Sequence, residues 1–293
     1  MLIARLIADG GPRETGQLGE QLAAHGLAMQ SATALADIPE VLELRLAGGT
    51  SAAILDALDT IAAPRAALVS AHEVAVPQVF VSDMDSTMIG QECIDELADY
   101  AGLKAQIAGI TERAMQGELD FEAALRERVA LLAGLDESAI AACLADRIRA
   151  TPGARALVQT LAARGSRCVL VTGGFHHFAD PVAESLGFHR VVGNRLEVAD
   201  GTLTGGLVGA ITDAGVKAKV LAEEVALAGQ GAHSLATGDG ANDIPMIEAA
   251  TYGFAYRAKP KARAAANGRV DGADLTDVLL LLGIGRKDWQ SAH

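Results

Sequence analysis

Cysteine is scarce in this 293-residue chain: Cys93, Cys143 and Cys168 are odd in number, sit in apolar contexts and form no C-x-x-C pair. That excludes a disulfide framework and a thiolate zinc site, and points to a reducing compartment. Basic charge is also short, with 24 Lys and Arg against 37 Asp and Glu and a formal net charge of -13. Such a surface repels phosphate backbones and anionic lipid, so neither a nucleic-acid nor a membrane partner is expected. No apolar run approaches the ~18 residues needed to span a bilayer, and the opening MLIARLIADGG carries Arg5 and Asp9. A Walker loop and a G-x-G-x-x-G fingerprint are both missing, which argues against a nucleotide-driven or dinucleotide enzyme. What is present is a half-apolar chain long enough for about two domains. A soluble, cytoplasmic protein is expected.

The first 75 residues alternate short apolar runs with helical stretches. Leu2 to Ala8, Val41 to Leu46 and Ala66 to Ser70 read as strands, and Glu14 to His25 and Ala52 to Ile61 as helices. Residues 1 to 74 hold nine acidic and four basic side chains, so no basic arm is concealed here. The order resembles the βαββαβ module of the ACT-like type, with one strand faint. That resemblance implies a small α+β domain over 1–75, of a kind that commonly pairs, so a homodimer is an open expectation.

From Val76 the pattern changes. Val79 to Val81, Cys168 to Val171 and Ser234 to Ala236 are short apolar runs, each followed at once by polar or glycine-rich residues, as buried parallel strands are. Between the first two lie about 60 residues of helical pattern, Gln91 to Ala150, closed by Thr151-Pro152-Gly153. In an open α/β sheet ligands bind beyond the carboxyl ends of the strands, and a helical insertion there would cover the crevice. The expected fold is therefore α/β, a Rossmann-like parallel sheet over 76–285 with a helical cap at about 90–150.

The sharpest chemical feature is Val79-Phe80-Val81-Ser82-Asp83-Met84-Asp85-Ser86-Thr87. Residues i and i+2 of an extended chain face the same side, so Asp83 and Asp85 both address the crevice. Two carboxylates in a water-poor site repel each other unless a cation, most simply a hard divalent metal, sits between them. The alternative is a strand-end turn that caps the next helix. After the strand near Ser234, Thr237-Gly238-Asp239-Gly240-Ala241-Asn242-Asp243 supplies Asp239, Asn242 and Asp243 as oxygen ligands. Thr172, Gly173 and Gly174 offer a hydroxyl and free N–H groups suited to phosphate oxygens. Lys217, in Gly215-Val216-Lys217-Ala218-Lys219, is a cation at the start of a helix.

These four elements, in this order, resemble the haloacid dehalogenase-like phosphohydrolases, whose pattern is Asp-x-Asp, Ser or Thr, Lys, then Gly-Asp-x-x-x-Asp. Within them DMDSTMIGQECIDELADYAG, MQGELDFEAALRERVALLAGL, VTGGF, NRLEVADGTLTG and GDGANDIPM are similar to the phosphoserine phosphatase family over roughly Val76 to Leu282. Two departures are Met84, where that family commonly has an aromatic residue, and Thr172, where it commonly has serine. Neither removes a catalytic group.

The resemblance implies Mg2+-dependent hydrolysis of a small-molecule substrate, O-phospho-L-serine, as the last step of L-serine biosynthesis. Asp83 would be the nucleophile that forms an aspartyl-phosphate, and Asp85 the acid and base. Mg2+ would be held by the Asp83 carboxylate, the Asp85 backbone carbonyl and Asp239, with Asp243 and Asn242 in support. Lys217, Thr172 and Gly173 would bind phosphoryl oxygens. Glu92 and Arg128 match the residues that read the substrate's ammonium and carboxylate, and Met115 and Phe121 those that close over it. Two rival functions stay open: a relative acting on another phosphomonoester such as phosphohomoserine, and an amino-acid-sensing regulatory protein with an inactive core.

Two other patterns carry less. Cys143 and Arg149 have C-x5-R spacing, but the residues between them include no glycine and place Asp146 where an anion would bind. His176 and His177 are adjacent, so on a helix they diverge and cannot ligate one metal as an i, i+4 pair could.

Overall fold

The computed structural model describes residues 1–8, 15–115 and 119–290, with side chains for all of these except 15, 16, 112, 114 and 115. Its N-terminal part runs β1 (Leu2–Ile7), α1 (Thr15–Ala24), β2 (Ala28–Leu35), β3 (Ile38–Ala47), α2 (Ser51–Ala62) and β4 (Ala66–Ser70). This is a βαββαβ order, with β1 antiparallel to both β3 and β4. The faint strand is β2, whose sequence AMQSATAL is mostly exposed on both faces. It has no apolar alternation to announce it, and forms because its backbone completes the edge of β3. The helix α2 starts where the Thr50 hydroxyl accepts from Ala53 N, and it buries Ile54, Leu55, Ala57, Leu58 and Ile61 on the sheet.

The remainder is built on β5 (Val79–Ser82), followed by four helices, α3 (Cys93–Tyr100), α4 (Lys104–Met115), α5 (Phe121–Ala130) and α6 (Ser138–Arg147). These are the expected cap. The chain returns through α7 (Ala154–Ala163) to β6 (Arg167–Phe175), α8 (His176–Leu186) and β7 (Arg190–Asn194). A hairpin, β8 (Leu196–Ala199) and β9 (Thr202–Leu207), leads to α9 (Ala214–Ala228) and β10 (Ser234–Gly238). Then come α10 (Ile244–Ala249), β11 (Tyr252–Tyr256), α11 (Pro260–Ala265), β12 (Gly268–Val270) and α12 (Thr276–Leu281).

Strands β12, β11, β10, β5, β6 and β7 lie side by side, all parallel, so the carboxyl ends of β5, β6 and β10 open on one edge. The hairpin grips the cap from that edge: Gly134 N donates to Leu203 O at 2.8 Å and Leu203 N to Leu135 O at 2.9 Å. Among the described residues no helix is long and apolar enough to cross a membrane.

The N-terminal sheet is continuous with the parallel one, because β4 pairs antiparallel with β12. Ile7, Ile38, Val41, Ala66 and Leu68 share one apolar cluster with Leu275 and Val278 to Leu282. Polar bonds close the same junction. Arg269, 3 % exposed, donates to Asp59 at 2.5 Å and Asp56 at 2.9 Å, both on α2. Arg5 reaches Leu281 O at 2.9 Å. Replacing Arg269 by Met keeps the stem but takes the guanidinium from Asp56 and from Asp59, the latter keeping its bond from Arg263 at 2.7 Å. Because Asp56 and Asp59 keep solvent contact, the expected loss is about 2 kcal/mol of unfolding free energy, checked by urea titration. The C-terminal segment is tied down as well, with Trp289 Nε1 donating to Ile284 O at 3.0 Å.

Candidate active site

Strand β5 is buried along its whole length and delivers Asp83, 4 % exposed, to the crevice. Its direction is held by three bonds: Asp83 N donates to Thr237 O at 2.9 Å, Ser82 Oγ to Asp83 O at 2.7 Å and Thr237 Oγ1 to Ser82 Oγ at 2.7 Å. The ends of β5 and β10 are thereby locked together. Beyond β10, Asp243 folds back so that its Oδ2 accepts from Asp239 N at 3.1 Å and Gly240 N at 3.0 Å. Gly238 is needed for this, since a Cβ there would lie 2.5 Å from the Asp243 side chain.

Lys217 stands between the two loops. It enters from α9, whose first turn is capped by Asp213 accepting from Val216 N at 2.9 Å. Its Nζ lies 2.6 Å from Asp83 Oδ1 and 2.7 Å from Asp243 Oδ1, with no exposure to solvent. Burial works against the ammonium, but Asp243 and Asp83 outweigh it and hold the pKa above the usual lysine range. Lysines on helices are ordinarily solvated, but this one is enclosed between two carboxylates.

Carboxylate oxygens of Asp83, Asp239 and Asp243 lie within 4.8 Å of one another. Burial, and then the Asp243 charge, push Asp239 up to about 6. Three carboxylates therefore gather beside the Lys217 ammonium, with the Lys259 charge also felt at Asp239, and the ligand atoms they offer are all oxygen. That donor set fits a hard divalent cation such as Mg2+.

Asp85 sits two residues beyond Asp83, in a turn where Ser86 takes the left-handed backbone region at φ 53°. Its Oδ1 is buried and makes no hydrogen bond. Burial first, and then the Glu92 charge, push its carboxyl up to about 7, against donation from Cys93. A carboxyl so poised can both give and take a proton near neutrality.

Strand β6 runs on through Thr172 to Gly174, with its pairing to β7 interrupted between Val171 and Phe175. Thr172 is buried, and its Oγ1 accepts from Gly174 N at 2.8 Å, which leaves the hydroxyl proton free to donate. A Cβ on Gly174 would lie 3.0 Å from Asp85 Oδ2, and one on Gly173 3.2 Å from Phe121 Cζ. These glycines therefore let the loop approach the Asp85 carboxyl below and the cap above.

From the cap, Phe121 opens α5 directly after its capping residue Asp120. One face of α5 turns inward: Arg128 is half-buried, donates to Ala124 O at 3.1 Å, and feels the charges of Asp95, Glu92 and Asp85. Arg126 points away and pairs with Glu122 at 2.7 Å. Glu92 precedes α3, and its Oε1 accepts from Ser86 Oγ at 2.7 Å. Asn242, on the 3-10 turn Ala241–Asp243, folds its Oδ1 back toward Gly240. The Met115 side chain, an expected closing residue, lies outside the described part.

Two further residues join the site without a motif to mark them: Asn194, which donates to Gly173 O at 2.7 Å, and Thr212, whose N donates to Asn194 Oδ1 at 2.8 Å. The Cys143 and Arg149 pair forms no anion loop. Cys143 is buried in the cap, and the Arg149 guanidinium is spent on carbonyls of Ala145, Asp146 and Ile148. His176 opens α8 and pairs with Asp180 at 2.7 Å.

Residues 80–248 match the haloacid dehalogenase-like hydrolase family, and the chain belongs to it. A phosphoserine phosphatase of Idiomarina loihiensis is 45% identical over 205 residues, covering 69% of this chain and 91% of that protein. A phosphoserine phosphatase of Streptomyces coelicolor is 44% identical over 216 residues, 73% of this chain but 52% of its own length, so the match spans about half of that relative. Within the hydrolase family the chain is thus similar to proteins named phosphoserine phosphatase. Among solved structures, a haloacid dehalogenase family hydrolase from Salmonella enterica serovar Typhi superposes with TM-score 0.80 at 27% identity, covering 96% of this chain and 98% of that one. A phospho-aspartyl intermediate analogue of phosphoserine phosphatase gives TM-score 0.64 at 35% identity, over 70% of this chain and 98% of its own.

Proposed function

We propose that this protein hydrolyses O-phospho-L-serine to L-serine and phosphate through an aspartyl-phosphate on Asp83, with Mg2+ as cofactor, as the last step of serine biosynthesis. The observation that carries the reading is the buried Asp83–Lys217–Asp243 chain beneath a cap that brings Arg128 and Glu92 into the electrostatic reach of Asp85. The similarity to phosphoserine phosphatases, one of them solved as an aspartyl-phosphate analogue, supports it.

A phosphomonoester resists hydrolysis because an anion must approach a dianion while an alkoxide leaves. Asp83 attacks phosphorus as the bond to the serine oxygen breaks, and Asp85 gives that oxygen its proton. Asp85 then takes a proton from water, whose oxygen attacks phosphorus and releases phosphate, which restores Asp83. Lys217, the Thr172 hydroxyl and Gly173 N bind phosphoryl oxygens. Arg128 holds the substrate carboxylate, Glu92 its ammonium, and Phe121 shields the crevice from water. Asp83, Asp239 and Asp243, with the Asp85 carbonyl and Asn242 alongside, would hold Mg2+, which when bound offsets phosphoryl charge.

Phosphate release from L-phosphoserine tests this directly: it is expected with Mg2+, abolished by EDTA and restored by excess Mg2+. The acidity of Asp239 adds a pH signature. Protonated carboxyl cannot ligate, so below about pH 6 protons compete with the metal. The Mg2+ concentration for half-maximal activity is expected to rise by up to about tenfold per pH unit there, and to level off above pH 7.

A further inference from the structure

We infer that Asn194 is a positioning residue that fixes the phosphate-binding loop against the helix carrying Lys217; this rests on the reading of Thr172–Gly174 as a phosphate cradle. Asn194 is the last residue of β7 and is 3 % exposed. Its amide spans two segments that no other side-chain hydrogen bond joins among the described residues. On one side Nδ2 donates to Gly173 O at 2.7 Å, and on the other Oδ1 accepts from Thr212 N at 2.8 Å. A carbonyl faces the donor and an N–H faces the acceptor, so the amide has one consistent orientation.

Both bonds act on groups the chemistry needs. The peptide between Gly173 and Gly174 has its carbonyl held by Asn194 and its N–H by Thr172 Oγ1. Its plane is therefore fixed from both ends, and with it the aim of the Thr172 hydroxyl. Thr212 immediately precedes Asp213, the cap of α9, and Asp213 O accepts from Lys217 N at 3.1 Å. The bond to Thr212 thus anchors the turn from which Lys217 departs. Close packing backs the amide, since a Cβ on Gly193 would lie 3.2 Å from Thr172 Cγ2 and 3.3 Å from Gly174 O. The loop has a wall behind it, and Asn194 on the carbonyl side completes what Thr172 Oγ1 does on the N–H side to set its rotation.

The test uses full-length protein with Mg2+ present, in two variants. Asn194→Asp is isosteric, keeps the acceptor for Thr212 and sets an oxygen against Gly173 O; Asn194→Ala removes both bonds. The inhibition constant of inorganic phosphate is expected to rise about 10- to 100-fold in each, with a matching fall in kcat/KM. Mg2+ affinity, read by calorimetry, is expected to stay within about twofold, because Asn194 touches none of the carboxylates. Unchanged phosphate affinity in folded Asn194→Asp overturns the inference, and so does a joint loss of phosphate and Mg2+ affinity, which marks general loosening. Failure of the unaltered protein to bind phosphate at all would overturn the cradle reading itself.

Discussion

Asp83→Asn is expected to lower kcat/KM for phosphoserine by about 10⁴-fold or more while leaving the protein folded. The size follows from what is removed. A carboxylate nucleophile divides one hard displacement into two easier ones, and an amide cannot take its place. The fold should survive because Lys217 retains Asp243 at 2.7 Å, and because the backbone bond from Asp83 N to Thr237 O does not involve the side chain. The check is steady-state phosphate release together with thermal unfolding. A variant that keeps more than about 1% of the activity at unchanged stability would exclude Asp83 as nucleophile.

The second large effect belongs to the cap. Arg128→Ala is expected to raise KM for phosphoserine about 10- to 100-fold, the equivalent of one charge-assisted hydrogen-bonded pair. Turnover of an aryl phosphate, which has no carboxylate, should change less than about threefold. The geometry supports this split. Arg128 lies on the inward face of α5 and is bonded to Ala124 O, but no described carboxylate pairs with it, so its charge is available to a ligand. Arg126→Ala on the outward face, where the pair with Glu122 is exposed, provides the control and should leave both substrates unaffected. Equal losses on the two substrates would mean that Arg128 supports the cap fold and does not read the substrate.

Much of the site was legible in the sequence because its groups sit where strands end, and a buried strand followed at once by Asp or Gly is a local pattern. Asp83, Asp85, Thr172 and Asp239 stand in that pattern. Lys217 was legible only through the family resemblance, since a lysine on a helix is ordinarily solvated and nothing in Gly215-Val216-Lys217 announces burial between two carboxylates. Asn194 and Thr212 act through contacts across 21 and 18 residues and have no spacing rule to reveal them. In the fold, β2 was faint because an exposed edge strand needs no apolar face. The junction of the two sheets was not legible either. Pairing between β4 and β12, and the reach of Arg269 to Asp56 and Asp59, join residues some two hundred positions apart.

The most direct test of the central claim is the rate of phosphate release by the unaltered protein at saturating Mg2+ from L-phosphoserine, phosphothreonine, phosphohomoserine and an aryl phosphate. The account predicts a kcat/KM for phosphoserine at least about tenfold above each of the others: phosphohomoserine is one methylene too long to reach Arg128 and Glu92 with its phosphorus at Asp83, the aryl phosphate has neither group to offer them, and phosphothreonine brings a β-methyl group that the cap must make room for. Faster turnover of phosphohomoserine, or equal rates on all four, would contradict it.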